Sequence, residues 1–259
     1  MKKARNIAVN PRLAPTGAGT LARAIADYGL PDACEIIYHG RNVVALLDNA
    51  GLVIKAFRHP GVIRGWIYRW FRVPKSRRSY SNAMRLRELG INTPEPAFAI
   101  ECYRRNGALG SSYYACSALN GWTELRGAEK RPDFPALAAA LAEFIFDIHC
   151  KSVLMEDMTP GNILFCKEGD NFRFALVDIN RMRFDVDGWA PLLENFRALL
   201  DTEEGTVAVA REYARILKAN NIHPDTDDFV EAARATYSDF QRKLLRRRRF
   251  KNFFRHRKK

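Results

Sequence analysis

No Cys-x-x-Cys pair occurs in this sequence, whose five cysteines (34, 102, 116, 150 and 166) are scattered and odd in number. That pattern excludes a disulfide framework and a cysteine-built zinc site, and it predicts reduced thiols serving as core filler. A long apolar run is also missing. The longest, Ala136 to Ile148, is broken by Glu143 and Asp147 and is too short to cross a bilayer. The basic start, Met1-Lys2-Lys3-Ala4-Arg5-Asn6, meets Asn10, Pro11 and Pro15 before any apolar stretch, which is unlike a signal peptide; a cytoplasmic protein is expected. There is no internal repeat. Acidic residues are absent from 246–259, where nine cations lie, leaving only four of the thirteen net positive charges to the other 245 residues.

What is present suits a globular chain. With 259 residues, 47% hydrophobic and 27% charged, one or two lobes with a substantial core are expected. Residues 1–31 read as an irregular or short helical lead-in, punctuated by Pro11, Pro15, Gly17 and Gly19. Three β-like runs follow at 34–39, 42–47 and 52–57, the last two joined by a hairpin turn at Asp48-Asn49-Ala50-Gly51. The stretch 62–73 places Trp66, Tyr68, Trp70 and Phe71 among arginines and has no clear period. A helix is predicted over 76–89, ended by Gly90, and Thr93-Pro94-Glu95-Pro96 enforces an extended exit into strands at 97–103 and 112–119. Asn120-Gly121 reads as a hinge. An alanine-rich apolar helix runs to Cys150, a hairpin covers 162–166 and 172–177, and helices are expected at 191–200, 206–219 and from 226 to about 249. The expected organisation is therefore 1–119, 120–245 and a basic tail, 246–259.

Chemistry concentrates in Met155-Glu156-Asp157-Met158-Thr159-Pro160-Gly161-Asn162, followed by Leu176-Val177-Asp178. A base, an amide oxygen and a second carboxylate in this order are what kinase-type phosphoryl transfer needs to position a hydroxyl and hold magnesium. Thr-Pro-Gly-Asn is also ordinary turn chemistry, since Gly and Asn tolerate positive φ. Upstream, Lys55 interrupts the apolar strand Leu52-Val53-Ile54-Lys55-Ala56-Phe57. A buried ammonium there calls for an anion, whereas a lysine on an edge strand would simply face solvent. The order of strand lysine, helix, hinge, apolar helix, Asp-x4-Asn, hairpin and Asp favours the first reading.

Four segments narrow the comparison: Val-Pro-Lys-Ser-Arg-Arg-Ser-Tyr (73–80), Glu-Leu-Gly-Ile-Asn-Thr-Pro-Glu-Pro (88–96), Thr-Pro-Gly-Asn-Ile-Leu-Phe (159–165) and Leu-Val-Asp-Ile-Asn-Arg-Met-Arg-Phe (176–184). Together they resemble the bacterial lipopolysaccharide kinase family, which phosphorylates 3-deoxy-manno-octulosonic acid (Kdo) or core heptose. The resemblance, over roughly 35–200, implies an α+β, two-lobed protein-kinase-like fold, with an antiparallel sheet and one main helix in the first lobe and a mostly helical second lobe. It also implies ATP and magnesium as cofactors and a sugar hydroxyl of lipid A or core saccharide as acceptor. By position, Asp157 would orient and deprotonate the hydroxyl, Asn162 and Asp178 would hold magnesium, and Lys55 would neutralise phosphates. Gly40, Arg41 and Asn42 stand where a glycine-rich loop would, and Ser117 to Leu119 would line the adenine. Glu88 is the best acidic partner available for Lys55.

Departures from the kinase pattern are also visible. Met155 and Glu156 stand where kinases carry His and Arg or Lys, so a hydrogen-bonding side chain and a positive charge are missing beside Asp157. Asp178-Ile179-Asn180 replaces Asp-Phe-Gly. His149 reads as a packed structural histidine. The tail interleaves Phe250, Phe253 and Phe254 with cations and suits an anionic membrane surface, which a membrane-embedded acceptor favours over nucleic acid; a disordered solubilising tail is the plain alternative. Other readings left open are a non-catalytic kinase-like module and a phosphotransferase of the aminoglycoside or choline type.

Overall fold

A computed structural model describes residues 5–188, 190–222 and 226–256, with the backbone alone at 190, 226 and 251–256. The chain forms two compact units, Met1–Gly121 with Leu176–Arg181, and Trp122–Ala175 with Met182–Lys259.

The first unit contains β1 (Arg5–Val9), α1 (Ala18–Tyr28), β2 (Glu35–His39), β3 (Val43–Leu47), β4 (Leu52–Phe57), α2 (Val62–Trp70), α3 (Lys75–Glu88), β5 (Pro96–Tyr103) and β6 (Leu109–Ser117). Its six strands form an antiparallel sheet in the order β1-β5-β6-β4-β3-β2. The lead-in is more ordered than its composition suggested. Residues 5–9 pair with β5 as an edge strand, Ile7 opposite Ile100, and α1 packs Ala18, Ala22 and Ile25 onto Ile54, Phe98 and Ile100. Each large apolar side chain fully buried in this way contributes about 1.5–3 kcal/mol. The strand bearing Lys55 is central, lying against β3 and β6, so an edge-strand lysine is excluded. In α3, Ala83 and Leu86 are buried, and the helix packs against β5.

The second unit contains β7 (Thr123–Glu124), α4 (Phe134–Cys150), β8 (Leu154–Met155), β9 (Ile163–Glu168), β10 (Asn171–Leu176), β11 (Met182–Arg183), α5 (Glu203–Ala219) and α6 (Thr226–His256). The apolar helix α4 buries Leu137, Leu141, Ile145 and Ile148. Phe196, Tyr213 and Phe229 make an aromatic cluster with ring centroids 5.2–5.5 Å apart. Where a helix was expected at 191–200 the chain forms 3-10 turns over Ala190–Ala198. Instead of ending near Arg249, α6 continues to His256, so the first part of the basic tail is helical. Arg257 to Lys259 and the side chains of Phe253 and Phe254 lie outside the described residues. Among the described residues no helix is long and apolar enough to cross a membrane. All five cysteines are free; Cys102 is buried in the core, Cys34 packs half-buried against it, and Cys150 is exposed, so core filling does not account for all of them.

Candidate active site

In the first unit Lys55 Nζ stands 2.6 Å from Asp178 Oδ1. Asn180 Nδ2 donates to the same oxygen at 2.6 Å, so both interactions fall on Oδ1 and leave Oδ2 for another ligand. Asp178 has φ 53°, a left-handed conformation uncommon outside glycine, which aspartate tolerates better than most residues. The segment carrying it is pinned on both sides. Asn82 Nδ2 of α3 donates to the Ile179 carbonyl at 2.7 Å, and Thr93 Oγ1 donates to the Leu176 carbonyl at 2.8 Å. Glu88 is exposed in the last turn of α3, and no ion pair joins it to Lys55 among the described residues; Asp178 is the partner of that lysine.

A cavity of about 610 Å³ opens in the same unit, lined in part by Arg41, Asn42, Arg58, Arg64, Lys75 and Ser112, with no acidic residue in its wall. Burial, and then the nearby Arg41 guanidinium, hold the Lys75 ammonium below the usual lysine range, while Asp178 opposes them. The basic stretch around 64–78 therefore divides. Arg64 and Lys75 face the cavity, Arg77 Nε pairs with Glu101 at 2.8 Å, and the Arg69 guanidinium lies over the Tyr103 ring. Gly40 lies under the Tyr38 ring, where any Cβ would collide with it. Ser117 Oγ accepts from the Glu95 amide at 2.9 Å, and Leu119 is half-buried.

In the second unit the catalytic-loop segment is a tight turn. Asn162 donates its amide N–H to Thr159 O at 2.9 Å, and the Leu125 amide reaches Pro160 O at 3.0 Å. Neither Gly161 nor Asn162 has positive φ; a Cβ on Gly161 would meet only the guanidinium end of Arg126, a flexible group that can shift. Asn162 Nδ2 donates to the Asp157 carbonyl at 2.8 Å, which leaves its Oδ1 for a cation.

The two departures before Asp157 are accommodated by residues from elsewhere in this unit. Met155 is fully buried, its backbone pairs with Met182, and its carbonyl accepts from Asn195 Nδ2 at 2.6 Å. Asn195 Oδ1 in turn meets His149 Nε2 at 2.9 Å, and His149 Nδ1 meets the Tyr213 hydroxyl at 2.7 Å. With Asn195 donating to Met155, its oxygen must accept, so His149 carries its proton on Nε2. Burial pushes the His149 pKa down to about 4, against a smaller opposing effect of Asn195. Arg197 donates to the Glu156 carbonyl and lies 3.9 Å from Asp157 Oδ1, supplying the positive charge missing from the local sequence.

A model of the lipopolysaccharide kinase (Kdo/WaaP) family matches residues 58–219. The chain belongs to that family. It is accordingly a phosphotransferase with a hydroxyl acceptor. Among solved structures it resembles WaaP in complex with acyl carrier protein, at TM-score 0.60 and 16% identity, covering 91% of this chain and 99% of that one. It also resembles the GDP complex of wild-type aminoglycoside 2'-phosphotransferase-IIIa, at TM-score 0.53 and 13% identity, covering 92% and 93%. At such identities these likenesses establish the protein-kinase-like fold and nothing finer. No curated protein matches by sequence.

For a lipopolysaccharide kinase the donors present are suitable for a nucleotide with a divalent ion. Asp178 Oδ2 in the first unit and Asn162 Oδ1 in the second are each hard oxygen donors of the kind that suits magnesium. Among the described residues no cluster of three His, Cys, Asp or Glu could hold a metal ion. An acid-free wall bearing Arg41, Arg58, Arg64 and Lys75 suits a polyphosphate. Arg78, near Lys75, adds a buried Nε without a hydrogen-bond partner among the described residues. Sequence reading missed Asn180, Asn195, Arg197 and the cavity role of Lys75. Only Asn180, two residues from Asp178, carried a local signal.

Proposed function

We propose that this family member transfers the γ-phosphoryl group of ATP to a sugar hydroxyl of lipopolysaccharide, on Kdo or core heptose. The observation that supports it most is the Lys55–Asp178 pair at 2.6 Å, with Asp178 in a left-handed backbone conformation. Asp157 orients the acceptor hydroxyl and takes its proton as the oxygen attacks the γ-phosphorus. The bond from that phosphorus to the bridging oxygen breaks, and ADP leaves. Lys55 and Lys75 neutralise phosphates, Arg41 covers them from the β2–β3 turn, and Ser117 to Leu119 line the adenine. Asn162 and Asp178, each from its own unit, would hold magnesium, which would supply charge withdrawal from the transferring phosphoryl group. Arg197 orients Asp157.

Glycolipid acceptors lie at a membrane, and the helical stretch from Arg246 to His256 is assigned to an anionic inner-leaflet surface at the cytoplasmic face. Transfer of label from γ-labelled ATP to lipid A carrying core saccharide tests the central claim. Wild type transfers, and Asp157→Ala loses about 10^3-fold in kcat with unchanged folding. Equal transfer by both proteins rules the assignment out. Comparison of Kdo-terminated with heptose-bearing acceptors identifies the sugar.

A further inference from the structure

Among the described residues, helix α2 carries more exposed large apolar side chains than any other element. Of its nine residues only Gly65 is buried, and it is fixed against the sheet: a Cβ there would lie 2.9 Å from the Leu109 carbonyl oxygen. The opposite side is turned outward, with Ile63 80%, Trp70 65% and the following Phe71 83% exposed, joined by Val62, Trp66 and Ile67. A contiguous apolar face of this kind marks an interaction surface, because monomeric soluble proteins keep such patches small. Its surroundings specify the partner's charge. Residues 58–87 contain nine Lys or Arg and no Asp or Glu.

We propose that α2 is an interfacial helix by which the first unit docks on an anionic lipid bilayer. Tryptophan and tyrosine favour the headgroup boundary, where an apolar ring meets water at one edge, and arginines flanking such rings extend their guanidinium groups to lipid phosphates. Trp66, Tyr68 and Trp70 supply the first kind of group and the exposed Arg72 the second, while Arg64 lines the cavity and Arg69 is stacked over Tyr103. Val62 and Ile63 line the cationic cavity as well as lying exposed on α2, so docking would bring the mouth of that cavity to the lipid surface. An acidic protein would satisfy the charges, but the density of aromatic rings on one short exposed helix favours the bilayer. This surface is distinct from the α6 extension and does not depend on the phosphotransfer assignment.

Sedimentation of the full chain with phosphatidylcholine vesicles containing phosphatidylglycerol, and no saccharide, reads lipid binding apart from acceptor recognition, and variants confined to α2 separate its share from that of α6. Wild type is expected to bind with a strong salt dependence, and Ile63→Glu/Trp70→Glu, with the α6 cations untouched, to bind at least tenfold less at an unchanged melting temperature. Should that variant misfold, Trp66→Phe/Trp70→Phe keeps the apolar face; it is expected to retain binding but lose quenching of tryptophan fluorescence by brominated lipids. Undiminished binding of the glutamate variant overturns the proposal, as does unchanged quenching in the phenylalanine variant. Failure of wild type to bind these vesicles overturns it too, whatever acidic protein the face engages.

Discussion

Asp178 and Asp157, twenty-one residues apart, are held in place by different means. Asp178 is fixed through its own side chain, by Lys55 and Asn180 on one carboxylate oxygen, and through a left-handed backbone. Asp157 sits in a loop whose neighbouring carbonyls are gripped by Asn195, Arg197 and Asn162. The first arrangement places charge directly against charge. The second leaves the carboxylate accessible and puts rigidity into the peptide groups around it, which suits a group that must exchange a proton with a passing substrate.

The largest effect that would sharpen this contrast is chemical. Asp178→Asn removes the charge that faces Lys55 and is expected to lower phosphoryl transfer roughly 10^2- to 10^3-fold, while the melting temperature changes little because the pair is partly solvated. Turnover within a few-fold of wild type would break the comparison. A second effect is read in acid. With the His149 pKa near 4 in the folded state and 6.5 ordinarily, the unfolded chain binds the extra proton first. Stability contributed by neutral His149 is thus complete above pH 6.5 and is lost as pH falls to about 4, by on the order of 3 kcal/mol. Denaturation of His149→Gln across that window should show a correspondingly flatter profile; an identical slope would remove His149 from the loop's support.

Asn195→Ala leaves the Met155 carbonyl and His149 Nε2 without their partner, at a cost of about 2 kcal/mol, measurable by urea denaturation. Slower transfer with an unchanged KM for ATP would accompany it if the network serves Asp157. The smallest effect concerns the turn itself. Gly161→Ala displaces the mobile end of Arg126 and should cost less than about 1 kcal/mol, and Arg126→Ala in the same chain should restore it. A loss that persists in the double variant would mean that Gly161 is needed for some other reason.

These two arrangements were not equally legible in the sequence. The strands at 35–57, the helices α3 and α4 and the kinase-like order of parts follow from local periodicity and turn residues, and the fold they imply is the one observed. The lead-in was half legible: a short helix was expected and α1 is one, whereas β1, a five-residue edge strand with no buried side chain, left no apolar pattern to read. Helix α2 gave no period because its apolar residues point outward as well as inward. Asn195 and Arg197 were invisible for a different reason. Their partners lie about forty residues upstream, and nothing in a stretch of 3-10 turns announces which carbonyl an asparagine will reach. A missing motif residue, as at Met155 and Glu156, shows a need without showing where it is met.

The segment Leu176–Arg181 belongs by its contacts to the first unit, although the chain on either side of it belongs to the second. A gene divided after Gly121 would therefore not yield two self-sufficient products. The leading fragment would carry Lys55 with no carboxylate opposite it and Asn82 with no Ile179 carbonyl to receive its proton, while the trailing fragment would carry Asp178 stripped of both. Joining two halves cut at that point would not restore those contacts in either half alone, and an engineer who wishes to exchange the second unit must graft around those six residues.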